Sequence, residues 1–198
     1  MKKRVGIFGG TFNPPHIGHI EAAKAFVSKA ALDVLIIMPA FIPPHKEYIS
    51  TVSCEERLEM CKIAFKNVEK AQISDLEISR GGKSYTYLTL QELTSDDCEL
   101  FFLCGTDMIL SMDTWKCPDI IFSLANICYI RRECDTKTTD LISQKCKLYT
   151  EKFGANIIPI NADVVEISSS EIRNGKCNLQ TFLTDEVLGY ILEKGLYK

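Results

Sequence analysis

The sequence predicts an α/β fold, a doubly wound parallel sheet with helices on both faces, and three observations lead there. Strand-like apolar runs alternate with helical patterns almost throughout the 198 residues, which is the pattern of a parallel sheet covered on both sides. The run Val34-Leu35-Ile36-Ile37-Met38 is continuously apolar, as a strand buried on both faces requires. The unusual polar clusters all follow such runs, at the carboxyl ends of strands, where an open parallel sheet binds its ligands.

Arg4-Val5-Gly6-Ile7-Phe8 is the first strand-like run, and Ile17, Ile20, Ala23 and Val27 carry the helical period that follows it. The second strand, 33–38, ends in the loop 39–46, whose prolines forbid further pairing. Ser53-x-x-Glu56 reads as a capping box, and Leu58, Cys61, Ala64 and Phe65 give that helix its inward face. A short strand within 71–76 leads to the polar turn Arg80-Gly81-Gly82-Lys83. Ser84-Tyr85-Thr86 then starts a helix through Leu88, Leu90 and Leu93. Residues 99–104 form a core strand stopped by Gly105-Thr106-Asp107, and Pro118 begins a short helix. The next strand, 126–130, ends at Arg131-Arg132. The polar stretch 133–140 reads as linker-like and introduces an amphipathic helix bearing Leu141, Cys146, Leu148 and Tyr149. Residues 157–160 and 164–167 are the last strand candidates; Ser168-Ser169-Ser170 caps a short helix, and 184–194 is a closing helix.

A chain of this length supports one sizeable core and is short for two, so residues 1–198 are expected to form a single domain with a small C-terminal helical portion. A net charge of −3 and the lack of a basic stripe argue against a nucleic-acid partner. The longest apolar stretch, 34–42, is broken by Pro39 and too short for a bilayer, and no signal-peptide pattern opens the chain. A soluble cytoplasmic protein without a membrane partner is expected. The nine cysteines show no Cys-x-x-Cys spacing and read as reduced, mostly buried thiols.

The stretch that organises the rest is Gly9-Gly10-Thr11-Phe12-Asn13-Pro14-Pro15-His16-Ile17-Gly18-His19. It joins the first strand to the first helix, where free N–H groups and the helix dipole favour an anion. Gly9 and Gly10 are expected to take positive φ and let the backbone approach a ligand closely. Pro14-Pro15 stiffens the entry, and His16 and His19 fall on one side of the first helical turn. A plainer reading makes these histidines helix caps or core residues. No Gly-x-Gly-x-x-Gly is present, so a dinucleotide fingerprint is absent. The other polar clusters at strand ends are His45-Lys46, Gly105 to Asp107, Arg131-Arg132 and Ser168 to Arg173.

The eleven-residue turn resembles the (H/T)-x-G-H turn of the nucleotidyltransferases, in the form used by bacterial nicotinate mononucleotide adenylyltransferases. The resemblance implies a Rossmann-like nucleotidyltransferase fold and an adenylyl transfer from ATP to nicotinate mononucleotide. It assigns catalysis to His16, His19 and Lys46, the last from Pro43-Pro44-His45-Lys46. It assigns ATP to Gly9, Gly10, Thr11, Phe12 and Gly18, to Gly105 and Asp107, and to Ser168, Ser169, Ser170, Ile172 and Arg173. Nicotinate mononucleotide falls to Asn13, His45, Tyr85, Thr86, Trp115, Arg131 and Arg132. Within this pattern Ser170 stands where the family usually has Thr, and Arg131-Arg132-Glu133 where many members have Arg-Pro-Gly.

Such a reaction suits the residues present. The attacking phosphate is already an anion, so no general base is required; the protein must supply position and positive charge. No Ser-His-Asp arrangement or carboxylate pair is evident. Mg²⁺ is expected on the substrate phosphates, since no carboxylate cluster offers a cage. A homo-oligomer is compatible with the sequence. Three rivals remain open: an adenylyltransferase of the same fold acting on phosphopantetheine or nicotinamide mononucleotide, a noncatalytic nucleotide sensor, and a dehydrogenase.

Overall fold

Gly6 lets the first strand lie directly against the first helix: a Cβ there would collide with a methyl of Leu32 and stand 2.9 Å from the ring of Phe26. The computed structural model describes residues 2–44, 52–131, 136–162, 165, 167–174 and 179–197. In chain order these give β1 (Lys3–Gly10), α1 (Ile17–Lys29), β2 (Val34–Pro39), α2 (Cys54–Phe65), β3 (Ala71–Ile73), α3 (Leu76–Arg80) and α4 (Thr86–Leu93). There follow β4 (Cys98–Cys104), α5 (Thr106–Ser111), α6 (Pro118–Leu124), β5 (Ala125–Arg131), α7 (Thr136–Phe153), β6 (Ile157–Asn161), α8 (Ser169–Arg173), α9 (Leu179–Phe182) and α10 (Asp185–Lys194).

The strands form one sheet in the order β3-β2-β1-β4-β5-β6, and every pairing is parallel. The chain steps outward from β1 to β3, then returns to the other side of β1 with β4. The order therefore reverses between these two central strands, and their carboxyl ends form the switch point at which such sheets bind ligands. Ile7 is paired with Phe102, and Phe8 with Leu103, so β1 and β4 end close together.

Alternation along β4 sends its side chains to two separate cores. Phe101 and Leu103 join Phe26, Leu35, Ile37, Met60, Phe65 and Ile191 on the face covered by α1, α2 and α10. Leu100, Phe102 and Cys104 join Leu90, Ile109, Phe122 and Tyr149 on the face covered by α4, α5, α6 and α7. Helices thus cover both faces, as the apolar strand runs predict.

Several local expectations are corrected. Leu76 opens α3 rather than ending a strand, and Thr106 opens α5 rather than a loop. Helix α7 begins at Thr136, inside the polar stretch read as a linker; its first turn needs no apolar face because those residues meet water. On α2 the fully buried positions include Arg57, whereas Leu58 is only half-buried. Helix α9 was not anticipated. Residues 164–167 are only partly within the described set, and Val165 and Ile167 are not in a strand.

Candidate active site

Residues 11–16 carry the chain from β1 to α1. Gly9 and Gly10 do not take positive φ: they complete the extended strand β1, and Phe12 is the residue in the left-handed region, at φ 48°. That conformation is costly for a bulky residue and persists only where the surroundings impose it. The Phe12 ring supplies the reason, being packed edge-on against Phe8 at 5.4 Å, Phe65 at 5.6 Å and His19 at 5.0 Å between centroids. Gly10 makes room for it, since a Cβ there would lie 2.9 Å from the same ring. Gly18 makes room in turn for the carbonyl of Val165, which a Cβ would meet at 2.9 Å.

The carbonyls of this turn are held from distant parts of the chain. Arg57 Nη1 donates to the Thr11 carbonyl at 2.8 Å, and its Nη2 donates to the Phe41 carbonyl at 3.2 Å. Arg173 Nη1 donates to the Asn13 carbonyl at 2.6 Å, and Ser169 Oγ to the Pro14 carbonyl at 2.9 Å. Arg57 is only 1% exposed, so its charge is met by carbonyl dipoles rather than by water. Two guanidinium groups thereby bring positive charge to the turn's own backbone.

The two histidines divide the roles foreseen for them. His16 is buried and is the N-cap residue of α1, which agrees with the plainer reading of a cap. His19 is half-buried, and its ring lies 3.7 Å from that of His16 between centroids. The backbone N–H of His16 donates to His19 Nδ1 at 3.2 Å. An accepting Nδ1 carries a lone pair, so the neutral ring holds its proton on Nε2, on the side away from that bond. His19 is thereby set as an Nε2–H donor at the edge of the switch point.

Beyond the carboxyl end of β4, Gly105 caps α5 and sits so near Asp107 that a Cβ would fall 2.7 Å from its Oδ1. Thr106 Oγ1 donates to the Ile130 carbonyl at 3.1 Å, tying the ends of β4 and β5. Asp107 is exposed. Ser168 caps α8 through a reciprocal pair with Glu171, while Ser170 Oγ accepts from Arg173 Nη2 at 3.2 Å. Ile172 is a core residue at 4% exposure, and Asn13 is also buried, with its Oδ1 accepting from the Tyr197 hydroxyl.

The start of α4 is tied to the loop after β2. The Ser84 N–H donates to the Ile42 carbonyl at 2.9 Å, and its Oγ accepts from the Phe41 N–H at 2.9 Å. Tyr85 is the N-cap residue of α4 and Thr86 its first, with no acidic side chain in the first turn. Lys116 Nζ lies 4.6 Å from the Tyr85 ring centre, which brings the segment of Trp115 beside this helix start. Trp115 is half-buried, edge-on to Phe102 at 6.3 Å. Two residues earlier, Asp113 accepts from Lys145 at 2.8 Å and from the Tyr149 hydroxyl at 2.9 Å. Partial burial alone would push the Asp113 carboxyl up, but these bonds hold it below its ordinary value.

Beneath α4, Glu77 is buried and accepts from Thr89 Oγ1. Burial raises its carboxyl above the ordinary value, against the pull of the Thr89 and Ser84 hydroxyls and of Arg80. Buried thiols behave similarly: burial pushes Cys128 up to about 12, which leaves it a packing group without thiolate character.

His45, Lys46 and Arg132 lie outside the described residues. Arg131 ends β5 paired with Asn161, and its side chain is likewise outside them. The structure brings together the rest of the expected nucleotide set around the β1 and β4 ends, and places Tyr85, Thr86 and Trp115 on a second, adjoining wall. Arg57, Tyr197 and Glu77 were not foreseen. Only Arg57 left a sequence trace, a lone cation where the period of α2 calls for an apolar side chain.

A parallel sheet with this strand order, an anion-favouring helix start at its switch point and a donor imidazole beside it define a nucleotidyltransferase. The family model described as Cytidylyltransferase-like matches residues 7–175. A Clostridium botulinum protein is 39% identical over 99% of this chain and 98% of its own length, and a Listeria monocytogenes protein is 33% identical over 100% and 98%. Both carry the name "Probable nicotinate-nucleotide adenylyltransferase". The chain belongs to the Cytidylyltransferase-like family and, within it, to the nicotinate-nucleotide adenylyltransferases. The fold is shared with the Plasmodium falciparum nicotinic acid mononucleotide adenylyltransferase. Its complex with NaAD superposes with a TM-score of 0.75 at 19% identity, covering 98% of this chain and 97% of that one. Its complex with APC gives 0.72 at 20% identity over the same shares.

Proposed function

We infer that the protein transfers the adenylyl group of ATP to nicotinate mononucleotide, giving deamido-NAD and pyrophosphate in NAD biosynthesis. A phosphate oxygen of the mononucleotide attacks the α-phosphorus, the bond to the bridging oxygen of the β-phosphate breaks, and pyrophosphate leaves with that electron pair. The nucleophile is already ionised, so no side chain need remove a proton. The observation that carries this reading is His19, fixed with Nε2–H as donor at the switch point between β1 and β4. A preset donor aimed at developing negative charge costs no reorganisation when the reaction occurs.

On this reading the phosphates lie over the start of α1, with Lys46 proposed to meet them from the loop after β2. The nicotinate carboxylate is proposed to face the start of α4 and its ring Trp115; these two segments adjoin through Lys116 and Tyr85. The groups at the β1–α1 turn are N–H donors, which suit phosphate oxygens rather than a hard cation. We therefore propose that Mg²⁺ rides on the phosphates and adds its charge there. The cytoplasm is the proposed location; the seven described cysteines are free thiols, and no described helix is long and apolar enough to cross a membrane.

Pyrophosphate release with nicotinate mononucleotide, nicotinamide mononucleotide and phosphopantetheine as separate acceptors tests the assignment. Preference for the first is expected, and preference for phosphopantetheine overturns it. ATP binding without product from any acceptor would support the nucleotide sensor instead.

A further inference from the structure

Tyr197 touches the turn that carries His16 and His19 from 184 positions away. Helix α10 ends at Gly195, which is left-handed at φ 64°. The Gly195 N–H donates to the Leu192 carbonyl at 3.3 Å and the Leu196 N–H to the Ile191 carbonyl at 3.0 Å. This is the paired closure that a glycine after a helix favours. It folds Leu196 and Tyr197 back against the core shared by α1, α2 and α10. The Tyr197 hydroxyl then donates to Asn13 Oδ1 at 2.5 Å.

Asn13 is 3% exposed, and its carbonyl is the acceptor for Arg173. A hydroxyl that donates to a carboxamide oxygen favours the orientation in which that oxygen faces it. The Tyr197 hydroxyl therefore helps to orient the Asn13 side chain, three residues before His16 and next to the strained Phe12. Val187 and Ile191 bury α10 against the core without that hydroxyl.

We propose that Tyr197 is a positioning residue for the transfer reaction, holding the turn through Asn13 so that His19 meets the phosphates in register. The proposal rests on the adenylyl-transfer reading of that turn. It follows from the sensitivity of such steps to placement, where a shift of about 1 Å can cost on the order of a hundredfold in rate.

Tyr197→Phe keeps the ring and removes only the hydroxyl. We expect kcat for deamido-NAD formation to fall about tenfold as the turn loses part of its register. KM for nicotinate mononucleotide should change by less than kcat, because Asn13 is only one of the residues expected to meet that substrate and the others lie on α4 and at Trp115. The thermal midpoint should fall as well, since a buried acceptor loses its donor, and the ¹⁵N resonances of the His19 imidazole with ATP alone should shift. A hydroxyl that serves only stability would lower the midpoint and leave kcat per folded molecule unchanged, which overturns the proposal. If wild type makes no deamido-NAD, the function reading fails, and the imidazole resonances still judge Tyr197: unshifted signals in the variant refute it.

Discussion

The backbone N–H of His16 donates to Nδ1 of His19, and the two rings stand 3.7 Å apart. One histidine therefore sets the tautomer of the other. His16 is closed off inside the protein, while His19 is only half-buried. The two rings differ in burial and in hydrogen bonding, a difference that a motif with two equivalent histidines does not convey.

Gly18 and Gly189 test whether glycine is needed for space. A Cβ on Gly18 would meet the Val165 carbonyl at 2.9 Å, whereas one on Gly189 meets nothing within 4 Å. Gly18→Ala should destabilise by about 1–3 kcal/mol through overpacking and reduce turnover. Gly189→Ala should stabilise α10 by up to about 1 kcal/mol, the helix preference of alanine over glycine. Thermal denaturation of both variants checks the pair, and shifts of the same sign would contradict it.

The raised Glu77 carboxyl makes stability depend on pH in a stated direction. The folded state binds this proton more tightly than the unfolded chain. The resulting stability is complete below the unfolded value and is lost as pH rises through the folded one. Glu77→Gln keeps an oxygen to accept from Thr89 and has no charge to bury. Its thermal midpoint relative to wild type should rise from pH 4 to pH 8; a constant or falling difference would show that Glu77 is not responsible.

Asp113 should govern acceptor binding through Trp115. Its carboxyl is held low by Lys145 and Tyr149, so its contribution is present above the unfolded value and is lost as pH falls through the folded one. Asp113→Asn should raise KM for nicotinate mononucleotide several-fold, leave KM for ATP near wild type, and flatten the loss of stability in acid. A change in KM for ATP alone would separate this anchor from the acceptor wall.

How much of this was legible in the sequence depended on whether a feature was local. The β1–α1 turn could be read because its residues are contiguous and sit between an apolar run and a helical period. The capping box at Ser53 and Glu56 likewise formed as its spacing requires. Helix α5 escaped notice because six residues capped by Gly105 without a side-chain bond leave no periodic signal. The positive φ fell to Phe12 rather than the glycines because ring packing, which only the fold creates, outweighed local preference. Arg57, Arg173 and Tyr197 reach the turn across 46, 160 and 184 positions, distances over which no local pattern carries information.

Turnover of His19→Ala at saturating ATP and nicotinate mononucleotide, set beside its affinity for ATP, is the most direct test of charge stabilisation at this turn. Loss of one preset donor corresponds to about 3 kcal/mol of barrier, or a hundredfold to a thousandfold in kcat. We expect a fall of that size with ATP affinity reduced only modestly. Unchanged turnover in the variant would contradict a catalytic role for His19 and with it the mechanism derived from the β1–α1 turn.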